Sequence, residues 1–215
     1  MLTLACALGA CAACGPSAGA QMLALEAAEV YVELHPAHGF LYLKEYHLST
    51  LERDSATVAT QAAEIADMVQ RRSYCIARYP FDGFMPMEEK LYHDRGSITV
   101  ECRLLSRERD PRALIGDAFA RVLNRPVGVT IESGEIRASY VGSDVQVRDN
   151  NSLGVYAKGD QRVIYWRAGT SPLEAVLGSG NRAASTYRSI APYVRANVAS
   201  PEMTEAEIRA WRRSP

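Results

Sequence analysis

Residues 97–105 read Ser-Ile-Thr-Val-Glu-Cys-Arg-Leu-Leu, and apolar and polar side chains alternate along most of this stretch. A period of two residues is typical of a β-strand that buries one face against a core. The apolar side carries Ile98, Val100, Cys102 and Leu104. The stretch therefore predicts a sheet with one buried face, and it places Cys102 on that face.

The residues before this strand predict a hairpin, a helix, another strand and an irregular loop. In chain order these are expected at residues 29–48, 55–72, 74–79 and 80–86. The helix is indicated by Val58, Ala62, Ile65, Ala66 and Val69, which share one face at helical spacing. Asp54 or Ser55 is expected to cap its N-terminus, because both side chains accept hydrogen bonds from free amide groups.

The residues after the strand predict a second amphipathic helix and then a run of strands. Asp110-Pro111 is a cap followed by a first-turn proline, and apolar spacing continues to residue 123. The strands are expected at residues 127–131, 136–140, 144–148, 153–157 and 162–167. Beyond residue 170 we predict helices, at 173–177, at 184–194 and from a capping box at 204–207.

This order of elements predicts an α+β fold with a mainly antiparallel sheet, two amphipathic helices and a helical C-terminal region at about 170–215. The chain has 215 residues, of which 47% are hydrophobic and 23% charged, as expected of one globular domain. We divide it into a leader at 1–14, a tether at 15–21 and a single domain at 22–215. The net charge of −1 argues against nucleic acid as a partner.

The first 15 residues are uncharged, small and apolar, as in an export signal. Leu8-Gly9-Ala10-Cys11 resembles the lipobox of bacterial lipoproteins, in which a cysteine receives a lipid; Ala12-Ala13-Cys14 is a second match. The resemblance implies lipid attachment, including palmitate, at Cys11 or Cys14. It also implies a membrane anchor in the bacterial envelope, at the outer membrane facing the periplasm. The alternative is a buried N-terminal helix of a cytosolic protein.

Export would determine the redox state of the two cysteines outside the leader, Cys75 and Cys102. Disulfides persist in the periplasm and are rare in the cytosol, so we expect these two residues to form one. The alternative is a pair of buried free thiols that pack as small apolar groups. Cys11-Ala-Ala-Cys14 lacks the folded context of a redox or zinc site.

Two pairs of side chains are weak catalytic candidates. Glu45 and His47 are two residues apart on a predicted strand, where they would form an oriented general base. His93 and Asp94 form the other pair, but no G-x-S-x-G nucleophile motif accompanies them. His35 and His38 have no third ligand at recognisable spacing, so neither a metal nor a cofactor is expected.

The segment Phe81-Asp-Gly-Phe-Met-Pro-Met87 is unusually apolar for a loop. Exposed apolar patches often bind partners, so Phe81, Phe84, Met85 and Met87 are a possible partner surface. The alternative is packing against the core. We predict a non-catalytic envelope lipoprotein that binds a protein or glycan. The alternatives are a periplasmic hydrolase that uses a His/carboxylate pair and a carrier of a small ligand or lipid.

Overall fold

A computed structural model describes residues 25–27, 29–79, 83–94, 97–142, 145–148, 151–179, 188–197, 206–207 and 210. The leader with Cys11 and Cys14, the tether, Phe81 and most of the final predicted helix lie outside these residues. Asp94 is described only in its backbone. Among the helices of the described part, none is long and apolar enough to cross a membrane.

The main feature is a six-stranded sheet in which every neighbouring pair is antiparallel. Its strands are β2 (Glu29–His35), β3 (Phe40–Tyr46), β5 (Phe84–Asp94), β6 (Ser97–Ser106), β9 (Val145–Arg148) and β12 (Leu173–Ser179). They lie in the order β5-β6-β3-β2-β12-β9. The predicted hairpin at 29–48 is β2 and β3, and the predicted strand at 97–105 is β6.

Two smaller antiparallel sheets complete the strands of the described part. A four-stranded sheet contains β7 (Gly128–Glu132), β8 (Glu135–Val141), β10 (Gly154–Lys158) and β11 (Gln161–Arg167), in the order β10-β11-β8-β7. A three-stranded sheet contains β1 (Leu25–Glu26), β4 (Ser49–Thr50) and β13 (Arg188–Ser189), with β4 in the middle. The fold is therefore mixed, with mainly antiparallel sheets, as the sequence predicts.

The helices in the described residues are α1 (Ser55–Gln70), α2 (Tyr74–Arg78), α3 (Pro111–Leu123) and α4 (Ala191–Asn197). Asp54 caps α1, because its carboxylate accepts a 2.8 Å hydrogen bond from the Thr57 amide. Hydrogen bonds from the Thr57 hydroxyl and amide lower the pKa of Asp54. α1 contacts β5, while α3 contacts β2 as well as β7 and β8. The helices therefore cover the apolar side of the large sheet, and α3 joins it to the four-stranded sheet.

The two faces of the large sheet differ because successive residues in a strand point in opposite directions. One cross-strand row on the helix side contains Ala175, Val32, Leu43, Cys102 and Glu89. The neighbouring row on the opposite side contains Val176, Tyr31, Lys44, Glu101 and Lys90. Apolar residues thus form the core on one side, and charged and aromatic residues collect on the other.

One edge of the large sheet is β5, and it carries two features that hinder pairing with another chain. Pro86 lacks an amide donor, and the register shifts between Pro86 and Glu88, which leaves Met87 at a β-bulge. Edge strands with a proline or a bulge are poor templates for a further strand.

Three predicted elements are wrong. Residues 74–78 form a helix instead of a strand, because a distant carboxylate, that of Glu89, binds the first amides of α2. Residues 173–177 belong to strand β12, which pairs with both β2 and β9, instead of a helix. Tertiary pairing overrides the helical propensity of this short apolar run.

The third wrong element is the loop before β6. Residues 84–94 form one long strand, so residues 84–86 of the predicted loop at 80–86 belong to a strand. Pro86 in this segment suggested a loop, but a proline is tolerated in an edge strand. The helical C-terminal region at 170–215 is also not found. Its described residues contain β12, β13 and the short α4, with only residues 206–207 and 210 helical beyond these.

Asn151 links the two larger sheets. Its side-chain oxygen accepts hydrogen bonds from the indole of Trp166 at 3.1 Å and from the amide of Glu174 at 2.9 Å. Its amide nitrogen donates to the carbonyl of Pro172 at 2.8 Å. The buried Trp166 in β11 is thereby connected to the start of β12.

We expect Asn151→Ala to lower the free energy of unfolding by about 1–3 kcal/mol, because it leaves the buried Trp166 donor unsatisfied. Urea unfolding followed by circular dichroism measures this loss. Asn151→Asp keeps the acceptor oxygens and loses only the donor, so its cost should be smaller. Equal midpoints for the alanine variant and the unmodified chain would contradict the role of Asn151.

Candidate functional site

A buried carboxylate, Glu45, organises the space between β3 and α2. Only 1% of Glu45 is exposed. One carboxylate oxygen accepts from Arg78 Nε at 3.1 Å and from the Tyr79 hydroxyl, and the other accepts from the Tyr74 hydroxyl at 2.5 Å. We call Glu45, Tyr74, Arg78 and Tyr79 the carboxylate cluster.

The protonation states in the carboxylate cluster follow from burial and charge. Burial raises the pKa values of the Tyr74 and Tyr79 hydroxyls well above the ordinary value, and the charge on Glu45 raises them further. Burial alone lowers the pKa of Arg78, but the combined attraction of Glu45, Tyr74 and Tyr79 outweighs it and the net shift is upward. Two neutral tyrosines and a charged arginine therefore surround one carboxylate, and this arrangement fixes α2 on β3.

A second buried carboxylate, Glu89, lies beside the two core cysteines. Its oxygens accept hydrogen bonds from the amides of Tyr74 at 2.9 Å and Cys75 at 3.0 Å. The sulfurs of Cys75 and Cys102 are within bonding distance, with their Cα atoms 6.3 Å apart. Burial raises the pKa of Glu89, while the two amide hydrogen bonds oppose this shift. The sequence analysis expected this cysteine pair, although from a strand at 74–79 and not from a helix.

The opposite side of the sheet presents a half-buried row of aromatic and charged side chains across β2, β3 and β6. We call it the stacked row; it contains Tyr31, Glu33, His35, Phe40, Tyr42 and Arg103. The Arg103 guanidinium lies 5.0 Å from the Phe40 ring centre and 5.7 Å from that of Tyr42. The His35 ring meets the Tyr42 ring edge-on, with the centroids 5.6 Å apart. These contacts hold the side chains of three strands in one arrangement.

Hydrogen bonds extend the stacked row along β2. Glu33 accepts from the Tyr31 hydroxyl at 2.8 Å, and its second oxygen lies 2.8 Å from His35 Nε2. The imidazole is thus oriented by a carboxylate on one side and by the Tyr42 ring on the other. This arrangement suits a surface that presents oriented donors and aromatic area to a partner.

A buried charged patch continues the same side of the sheet next to the stacked row. The Lys44 ammonium lies 4.8 Å from the Tyr46 ring centre and 5.4 Å from that of Tyr92. Glu101 accepts a 2.7 Å hydrogen bond from the Tyr92 hydroxyl and faces Lys44 across the strands. Buried charges are tolerated only when they have hydrogen-bond or charge partners such as these. Such a network of polar contacts holds its side chains in one arrangement beside the stacked row.

The structure does not bring the first catalytic candidate pair together. Glu45 points to the helix side and its oxygens are used by Tyr74, Arg78 and Tyr79. His47 is exposed and lies beyond the end of β3, with a φ of 55°. The strand alternation that would have placed both side chains on one side ends at Tyr46.

The remaining predicted site residues are dispersed. His93 is buried in β5, and the side chain of Asp94 lies outside the described residues. Phe84 is part of the core, Met85 lies 3.3 Å from an Arg107 nitrogen, and Met87 is 41% exposed. His35 belongs to the stacked row, whereas His38 is exposed in the turn after β2. The possible partner surface at 81–87 therefore reduces, in its described part, to Met87 and the half-buried Met85.

Sequence reasoning missed the stacked row as a site. One signal was present: Phe40, Tyr42, Lys44 and Tyr46 occupy alternate positions of β3, opposite in direction to Leu41 and Leu43. A strand that is apolar on one side and aromatic and basic on the other indicates that its two sides have different surroundings. Arg103 joins this surface only through the pairing of β3 with β6, which the sequence does not specify. No protein-family model, no curated protein and no solved structure matches this chain.

Proposed function

We propose that this chain is an exported bacterial lipoprotein, anchored to the envelope by a lipid on Cys11 or Cys14. Its folded part is a non-catalytic binding or assembly component in the periplasm, on the outer membrane. The lipobox resemblance supports the anchor. The cysteine pair supports an oxidising compartment, because disulfides persist there. The proposed partner is an envelope protein.

The stacked row carries the proposal of a protein partner. Tyrosine, phenylalanine and arginine are enriched in protein interfaces, and tyrosine and arginine often supply most of the binding energy. Arg103 is held between two rings and His35 between Glu33 and Tyr42, so little side-chain freedom is lost on binding. The hydrolase alternative has less support, because Glu45 is buried and already bonded to three side chains.

The anchor is tested by the intact mass of the protein made from its native gene in a bacterial host. We expect a mature form that begins at Cys11 or Cys14 and carries acyl mass. A single Cys11→Ala or Cys14→Ala substitution should abolish processing when it removes the lipidated residue. An unprocessed chain that begins at Met1 would overturn the envelope location.

The binding surface is tested by a photo-crosslinking amino acid placed at position 38, which is exposed in the turn that follows His35 of the stacked row. We expect one protein adduct of defined mass in living cells. Arg103→Ala should lower the adduct yield about 30-fold, because an interface residue of this kind contributes 2 kcal/mol or more. The matched control is the same amino acid at position 137, an exposed site in β8 on the other sheet.

Each outcome of the crosslinking decides between the alternatives. An adduct at position 38 that is absent at position 137 and depends on Arg103 supports the protein interface. A glycan adduct would show that the partner is a polysaccharide and not a protein. No adduct, or equal yields with and without Arg103, would remove the stacked row as the binding surface. The urea midpoint of the Arg103 variant must stay close to that of the unmodified chain for this comparison.

A further inference from the structure

Three buried side chains beside α2 form the only group of potential metal ligands that the described residues bring together. The sulfurs of Cys75 and Cys102 and a carboxylate oxygen of Glu89 all lie within 4.8 Å of one another. All three residues are buried, and they come from α2, β6 and β5. Because the ligands come from three separate elements, they are fixed by the fold and not by one flexible loop.

We propose that the reduced chain binds one thiophilic divalent cation, such as Zn²⁺, through Cys75, Cys102 and Glu89, in place of the disulfide. Two thiolates and a carboxylate are a ligand set that zinc accepts, and they leave one of its four positions open. The disulfide and the metal exclude each other, since both use the same two sulfurs. The oxidised chain therefore has no such site.

The geometry fits a metal after a small movement. Zinc holds each sulfur at about 2.3 Å in a tetrahedral arrangement, which places two bound sulfurs about 3.8 Å apart. The cysteine Cα atoms are 6.3 Å apart, and rotation of the two side chains is the movement that would bring the sulfurs to this separation. The carboxylate oxygen is already within 4.8 Å of both sulfurs.

Glu89 also has the hydrogen bonds that orient a ligating carboxylate. The amides of Tyr74 and Cys75 each donate to one of its oxygens, at 2.9 and 3.0 Å. Each oxygen retains a second lone pair, so the carboxylate can bind a cation without losing these bonds. Outer hydrogen bonds of this kind position the ligands in known metal sites.

The electron and proton balance of the exchange is simple. A dithiol reductant gives two electrons to the Cys75–Cys102 disulfide and is itself oxidised to a disulfide. Two protons convert the sulfurs to thiols. Zn²⁺ then replaces these two protons, which are released to solvent, because metal ligands must be deprotonated. Metal binding by the reduced chain should therefore acidify an unbuffered solution.

The test is native mass spectrometry of the full chain with Zn²⁺, before and after reduction by a phosphine that does not bind the metal strongly. We expect one zinc per reduced chain and none at this site in the oxidised chain. Co²⁺ should give a thiolate-to-metal absorption band only after reduction. Cys75→Ala with Cys102→Ala should abolish both signals, and this variant also controls for binding by histidines or by other cysteines.

Glu89→Gln tests the third ligand and should weaken zinc binding at least tenfold. Its matched control is Glu88→Gln, the neighbouring glutamate of β5, which should leave the affinity unchanged. If the reduced chain unfolds, added Zn²⁺ should restore its circular dichroism. The proposal is overturned if the reduced chain binds no zinc, binds it equally without the cysteines, or stays unfolded in zinc. Equal affinities for both glutamate variants would remove Glu89 from the site.

Discussion

Glu45→Ala is expected to lower the free energy of unfolding by about 3–5 kcal/mol, because it leaves a buried charge without its partner. Arg78 is 15% exposed in its side chain and relies on Glu45 for charge compensation. The hydroxyls of Tyr74 and Tyr79 lose their acceptor at the same time. The shift in urea midpoint, with an unchanged slope, measures this loss.

Two further variants separate the charge effect from a general loss of packing. Glu88→Ala removes a glutamate that is 36% exposed and 3.8 Å from Lys90, so it should cost no more than about 1 kcal/mol. Glu45→Gln combined with Arg78→Met removes both charges and should cost less than Glu45→Ala alone. If Glu45→Ala costs no more than Glu88→Ala, the carboxylate cluster does not stabilise the fold.

Loss of the Cys75–Cys102 disulfide is the second large effect. The two residues are 27 positions apart, and a cross-link over such a loop stabilises by about 3–4 kcal/mol through the entropy of the unfolded chain. The Cys75→Ala, Cys102→Ala double variant should lose this amount. The cavities left by the two sulfurs add to the loss.

The redox dependence of stability gives the control for this prediction. Reductant should lower the urea midpoint of the unmodified chain toward that of the double variant, in solutions free of zinc. It should not change the midpoint of the double variant itself, whose remaining cysteines all lie before residue 15. Identical midpoints for the oxidised and reduced chain would show that the bond contributes nothing.

The elements that sequence predicts well are those specified by neighbouring residues. α1 and α3 have apolar spacing along the helix and a capping aspartate immediately before its first residue. The β7–β8 hairpin has Ser133 and Gly134, both at positive φ, in its turn. Local periodicity and turn chemistry suffice to place such elements.

The elements that sequence misplaces depend on distant residues. α2 is held by Glu89 and Glu45, which belong to two separate strands. β12 is a strand because β2 and β9 lie on either side of it. Arg103 contacts Tyr42 because of the register in which β3 pairs with β6. A shift of that register by one residue would give every side chain different partners. For this reason the sequence predicts that Glu45 pairs with its near neighbour His47, whereas in the fold Glu45 binds side chains of α2.

The pairing of β2 with β12 has a consequence for the time course of folding. It joins residue 29 to residue 178, so the large sheet cannot be completed until most of the chain is available. Closing so long a loop before its contacts form is entropically costly, and folds rich in such pairings acquire their native state slowly. A chain emerging from a ribosome or a translocation channel therefore stays incompletely folded until the far strand arrives. Under the export proposed above, an incompletely folded chain can still pass through a narrow channel.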